Sequence, residues 1–280
     1  MKPRILLSVL ALPLAASVML PAATFAGLPQ PMCVYYGQAK DGYGLPYLRD
    51  ADVILRHGTN EIARQTIKGS LRPGMNFALY VHLDAGGTAT SYSPKALRSG
   101  DLVSIVVRDR DGEKTVMENQ AVPPVGQPGE LILRNVTAAE DTDRDGLPDL
   151  WEWELIAWSD GRLRSLTDVR SADDFDGDGM SNWMEYLAGT FPFLDYDYLR
   201  VEQTDLTPNR RLRLTFLSAP GKSYSVLCAT NLTQSVWAPC AFAPSDTGSL
   251  QTLPAEGNGD WFSLYLPIVE PARFFSLIVE

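Results

Sequence analysis

DTDRDGLPDLWE, from Asp141 to Glu152, and DFDGDGMSNWME, from Asp174 to Glu185, divide the 280-residue chain into unlike parts. Between Asn135 and Asp197 sixteen Asp and Glu stand against four Arg, a net charge of −12 in a chain that totals −10. The remaining residues therefore carry +2, and the low isoelectric point of about 4.8 is a property of this one segment. On either side of it, apolar and polar residues alternate with the period of two that turns one face of a strand toward a core. Before it come ADVILRH (51–57), NFALYVHLD (76–84), DLVSIVVRD (101–109) and ELILRNV (130–136), separated by Gly, Pro and Asn. After it come LRVEQTD (199–205), RLRLTFL (211–217), KSYSVLCAT (222–230), WFSLYLP (261–267) and ARFFSLIVE (272–280). The pattern predicts a mainly β protein: one β-sandwich over 27–138, a small helical loop-helix module over 139–194, and a second β-sandwich over 195–280.

Both acidic stretches fit the twelve-residue EF-hand-type loop. That loop needs oxygen ligands at positions 1, 3, 5, 9 and 12, a backbone carbonyl at 7, and glycine at 6, where the chain bends around the ion. The first stretch supplies Asp141, Asp143, Asp145, the Leu147 carbonyl, Asp149 and Glu152, with Gly146 at the bend. The second supplies Asp174, Asp176, Asp178, the Met180 carbonyl, Asn182 and Glu185, with Gly179 at the bend. Four acids and a glycine in this register arise by chance at roughly one start in 50,000, and here the pattern recurs 33 residues on. Like charges about 4 Å apart repel by about 1 kcal/mol in water and about 4 kcal/mol at an effective dielectric of 20, a penalty that a bound cation reverses. An all-oxygen set ending in a Glu that can bind through both oxygens suits calcium better than the smaller, octahedral magnesium. Two calcium ions per chain are the expectation.

A short helix should leave each loop. LWEWELIAW ends at Asp160-Gly161, and NWMEYLAG ends where Gly189 caps and Pro192 forbids continuation. Trp151, Trp153, Trp158, Trp183 and Tyr186 on these helices are expected to form the module's shared core. DRDGEKTVM places Asp111-Gly112 between two alternating runs, so Asp109 and Asp111 read as hairpin residues and not as ligands.

The loop-plus-exit-helix units resemble dockerin-like and thrombospondin type 3-like extracellular calcium repeats over about fifty residues. Two departures stand out. Pro148 at position 8 of the first loop has no N–H, which forbids the two-way β bridge between paired loops. Leu150, Trp151, Trp183 and Met184 occupy positions 10 and 11, where dockerins place the small hydroxyl residues that contact cohesin, and this argues against cohesin binding. GQAKDGYGLPYLRDADVILRHG (37–58) is similar to the opening of carboxypeptidase-regulatory-like and transthyretin-like β-sandwiches. The last strand series resembles the Ig-like C-terminal β-domains of secreted bacterial multidomain proteins.

MKPRILLSVLALPLAASVMLPAATFA (1–26) has Lys2 and Arg4 before an apolar run ending in small residues, the form of a secretory signal peptide cleaved after Ala26. The reading is a secreted protein, extracellular or in the cell envelope, with no membrane span after cleavage. Export permits disulfides. Cys228 and Cys240 are expected to pair and close a loop worth about 3 kcal/mol, leaving Cys33 as a free thiol or an intermolecular partner. The net charge argues against nucleic acid as a partner. With 2 His and 3 Cys, no Gly-x-Ser-x-Gly or His-Glu-x-x-His, and every clustered acid assigned to a loop, the chain reads as non-enzymatic. A structural or adhesive role follows, with calcium stiffening the link between β regions. The alternative is a carbohydrate-binding or extracellular assembly module that takes a glycan or a protein through aromatics such as Tyr35, Tyr36 and Tyr43.

Overall fold

Val53, Ile54 and Leu55 have no exposed surface, the strongest burial in the first alternating run, and they mark the centre of the N-terminal half. A computed structural model describes residues 27–86, 91–118, 122–232, 236–268 and 274–279; the leader expected over 1–26 lies outside the described residues. The chain is mainly β with several sheets, and two α-helices occur among the described residues. None of its described helices is long and apolar enough to cross a membrane.

The N-terminal strands are β1 (Pro29–Gly37), β2 (Ala39–Lys40), β3 (Asp52–His57), β4 (Asn60–Thr66), β5 (Phe77–Asp84), β6 (Ser104–Asp109), β7 (Gly112–Thr115), β8 (Leu131–Leu133) and β9 (Val136–Thr137). An antiparallel sheet runs β4-β3-β6-β7, a second sheet runs β5-β1-β8, and β2 pairs with β9 in parallel. One core joins the two larger sheets: Val53, Leu55, Ile105 and Val107 pack in the same cluster as Cys33, Tyr35, Leu79 and Val81. In β5, Phe77, Leu79, Val81 and Leu83 are buried while Tyr80 and His82 are exposed, the alternation that a half-buried strand requires. Asp109 pairs with Gly112 across the β6–β7 turn, and its carboxylate accepts the Asp111 N–H, the Tyr47 hydroxyl and Lys114, as expected of a hairpin residue.

Within this half, Tyr35 corrects the sequence reading. It points inward from β1, is fully buried and donates its hydroxyl to the Pro123 carbonyl at 2.9 Å, so it offers no ligand surface. Tyr36, one residue on, faces the other way and is half-buried, while Tyr43 is exposed. Cys33 is also fully buried in the core, where desolvation pushes its thiol pKa up, so it is not available for pairing between molecules.

The C-terminal strands are β10 (Gln203–Leu206), β11 (Arg211–Leu217), β12 (Ser223–Ala229), β13 (Ala238–Pro239), β14 (Ala255–Glu256), β15 (Trp261–Pro267) and β16 (Phe274–Val279). One sheet runs β10-β11-β15; the other centres on β12, which pairs with β13, β14 and β16. Leu214, Phe216, Tyr224, Val226, Phe242, Leu264 and Leu266 share a core, with Phe216 and Tyr224 rings 4.8 Å apart. No disulfide joins Cys228 to Cys240, contrary to expectation. Register explains it. Cys228 stands opposite Ala238, and the Cys240 N–H bonds the Val226 carbonyl, so the two cysteines are diagonal neighbours. Diagonal Cα atoms lie roughly 7–8 Å apart, beyond the span that a disulfide bridges.

Direct contacts join the first and last β regions. The Ser70 hydroxyl donates to Glu256 at 2.6 Å, and Gly74 lies against Ser223 and Pro254. A picture in which the acidic segment alone holds the two regions together is therefore incomplete.

Candidate metal centre

Each acidic loop runs into a helix, α1 (Asp149–Trp158) after the first and α2 (Asn182–Ala188) after the second. Ser181 caps α2 by accepting the Met184 N–H, and Gly189 ends it in the left-handed region, which a residue without Cβ adopts at no steric cost. Pro148 stands at the cap of α1, where a missing N–H leaves no helical bond unmade.

The two loops fold alike. The Asp149 N–H bonds the Glu140 carbonyl at 3.0 Å, and the equivalent Asn182 N–H bonds the Asp173 carbonyl at 2.7 Å, so each loop closes on itself. In the first loop the Asp141 carboxylate accepts the N–H of Arg144 and Gly146; in the second, Asp174 accepts the N–H of Gly177 and Gly179. Positions 4 and 6 are left-handed in both: Arg144 at φ 66° and Gly146 at 97°, Gly177 at 80° and Gly179 at 98°. As Pro148 demands, no β-bridge joins the two loops among the described residues.

Asp141, Asp143 and Asp145 each present a carboxylate oxygen within 4.8 Å of the others, as do Asp174, Asp176 and Asp178. Glu152 and Glu185 have no exposed surface. None of their four carboxylate oxygens accepts a hydrogen bond, and the same holds for Asp143 Oδ1, Asp176 Oδ2, Asp178 Oδ2 and Asn182 Oδ1. Buried oxygens without donors are costly and normally absent from folded proteins. Burial first, and then the neighbouring Asp143 and Asp145, push the Glu152 carboxyl up to about 8; burial, then Asp176 and Asp178, do the same to Glu185. Asp143 and Asp176 are raised as well, chiefly by burial. The carbonyl oxygens of Leu147 and Met180 accept no backbone hydrogen bond among the described residues. Asp149 differs: its two oxygens accept the N–H and hydroxyl of Thr142 at 2.7 and 2.5 Å, so it braces the loop. Contact with an ion from that position commonly runs through water.

Each loop thus gathers hard, anionic oxygens, several of them buried and without donors, that could hold a divalent cation of the calcium type.

Only part of the aromatic reading holds. Trp151 and Tyr186 are buried and meet edge-on with ring centres 5.6 Å apart, whereas Trp153, Trp158 and Trp183 are 51%, 63% and 44% exposed. The module's core is instead Leu147, Trp151, Leu155, Val169 and Tyr186, with Phe175 stacked on Phe193 beside it. Sequence reasoning also missed the link between the loops. Asp145 Oδ2 accepts the Ser171 N–H at 2.6 Å and ties the first loop to the chain leading into the second, where Asn182 Nδ2 donates to the Arg170 carbonyl at 2.8 Å; neither bond has a local signature.

No protein-family model, curated protein or solved structure matches the chain.

Proposed function

We propose that the chain is a secreted, non-catalytic calcium-binding protein in which β-sandwich regions over 27–138 and 195–280 flank a module over 139–194 that takes two calcium ions. The role is structural or adhesive, with calcium holding the module in the shape that its neighbours pack against. The observation that carries this reading is the pair of fully buried glutamates, Glu152 and Glu185, whose carboxylates accept no hydrogen bond and sit beside acidic triads at the same loop position. A cation would offset both their desolvation and their repulsion by the neighbouring aspartates. Calorimetry with calcium and with magnesium on the full chain tests it. Two calcium ions per chain are expected, with dissociation constants of about 10⁻⁴ to 10⁻³ M, as is common for extracellular modules; no binding at several millimolar calcium would remove the proposal.

A second reading, a glycan-binding or assembly module, is favoured by one feature. A cleft of about 1000 Å³ lies between the N-terminal strands and α1, where the exposed rings of Tyr43 and Trp153 meet Arg110, Asp111 and Glu140. Aromatic faces beside polar groups are what a sugar ring requires. Screening a glycan array with and without calcium separates the readings.

A further inference from the structure

Lys222 is 2% exposed, and among the described residues it forms no ion pair. It leads into β12, yet its amino group reaches out of the C-terminal region altogether. Nζ donates to the Tyr186 carbonyl of α2 at 2.9 Å, lies 3.5 Å from the Gly44 carbonyl of the N-terminal region, and sits 5.3 Å from the centre of the Tyr186 ring. Three glycines allow the approach. A Cβ on Gly189 would lie 3.2 Å from Lys222 Cε, one on Gly44 would lie 3.0 Å from the Tyr186 ring, and one on Gly221 would lie 2.8 Å from Pro46. All three parts of the chain meet at this one side chain.

Its place relative to the acidic loops matters as much. Tyr186 directly follows Glu185 in α2, and the ring that Tyr186 meets edge-on belongs to Trp151, which directly precedes Glu152. Glu185 is therefore one residue from the ring on which Lys222 rests, and Glu152 is linked to that ring through Trp151. A buried amino group is a costly occupant, tolerated only while its donors are met, and burial, then the nearby Lys40, push this one down to about 7 against the pull of Asp41. Here two carbonyls and the face of the Tyr186 ring receive it, and all are in reach only when α2 and the Gly44 turn are in position together. A contact so finely balanced responds to small movements of α2.

We infer that Lys222 is a latch coupling calcium occupancy of the second loop to the docking of the β regions: a filled loop holds α2 where the latch closes, and a closed latch strengthens calcium binding. The inference rests on the calcium reading above. Coupling of this kind is reciprocal and commonly amounts to 5- to 150-fold in affinity.

Two measurements test it. In the first, calcium is titrated into the full chain carrying Asp141→Ala, which leaves the second loop, with and without Lys222→Met. Methionine keeps the stem's bulk and removes the donors, and the expected result is about tenfold weaker binding. In the second, the unaltered chain is acylated with acetic anhydride in calcium and in chelator. Lys222 should react at least about tenfold more slowly with calcium, while the exposed Lys68 and Lys95 react equally in both. If Lys222→Met does not fold, the acylation alone decides. Calcium binding that Lys222→Met leaves intact, or Lys222 labelling that calcium does not change, overturns the latch and leaves the calcium reading standing. Absence of calcium binding in the unaltered chain overturns both.

Discussion

Asp145 Oδ2 accepts the backbone N–H of Ser171 at 2.6 Å, so a residue of the first loop anchors the chain that leads into the second. The other oxygen of the same carboxylate accepts the Leu147 N–H at 2.9 Å. Asp145 is thus both a member of the first acidic triad and a tie between the triads. Asp145→Ala should remove one ion and also weaken the remaining site several-fold, whereas Asp141→Ala, whose carboxylate bonds only within its own loop, should remove one ion with less effect on the other. Calcium titrations of the two variants compare them directly.

Glu152 and Glu185 set calcium binding against the stability of the calcium-free chain. Glu152→Gln and Glu185→Gln replace a buried carboxylate by a neutral group of the same shape. In chelator each should raise stability by about 1–3 kcal/mol at pH 8, because a costly buried charge is removed. In calcium each should lower it and lose one ion. Thermal melts in the two conditions should rank the variants in opposite orders.

The same glutamates set the pH dependence. Their carboxyls are raised from 4.5 to about 8 in the calcium-free fold. Between those values the folded chain holds protons that the unfolded chain has lost, so this contribution to stability is complete below pH 4.5 and is lost as pH rises through 8. Calcium needs the ionised carboxylates and so reverses the slope. In chelator the melting temperature should fall between pH 5 and pH 8; in millimolar calcium it should rise.

Arg144 occupies the left-handed region at φ 66°, where the second loop has Gly177 at 80°. A non-glycine residue there costs about 1–2 kcal/mol. Arg144→Gly should therefore tighten calcium binding at the first loop or raise its melting temperature, and Gly177→Arg should do the opposite at the second. Titrations of both variants, with the unaltered chain alongside, read the difference.

Local rules made much of this protein legible from sequence. Spacing alone aligned the two loops, because a ligand set around one ion is written within twelve consecutive residues. Gly189 and the Asp111-Gly112 turn were legible because caps and hairpins depend on neighbours in the chain, and runs such as NFALYVHLD became β5 because alternation decides which face is buried. Other elements had no such pattern. The polar run Asn60–Thr66 became β4 only through pairing with β3, and Pro29–Gly37, with two prolines, became β1 between β5 and β8. Tertiary structure alone decided that Tyr35 turns inward, that Trp153, Trp158 and Trp183 stay at the surface, and that Cys228 and Cys240 stand diagonally. It alone brought Lys222 to Gly44 and Tyr186, which lie 178 and 36 residues away. Composition and period report what a residue prefers; which residues meet across such separations depends on strand register and on the packing of whole faces, and neither is encoded in any short stretch of the chain.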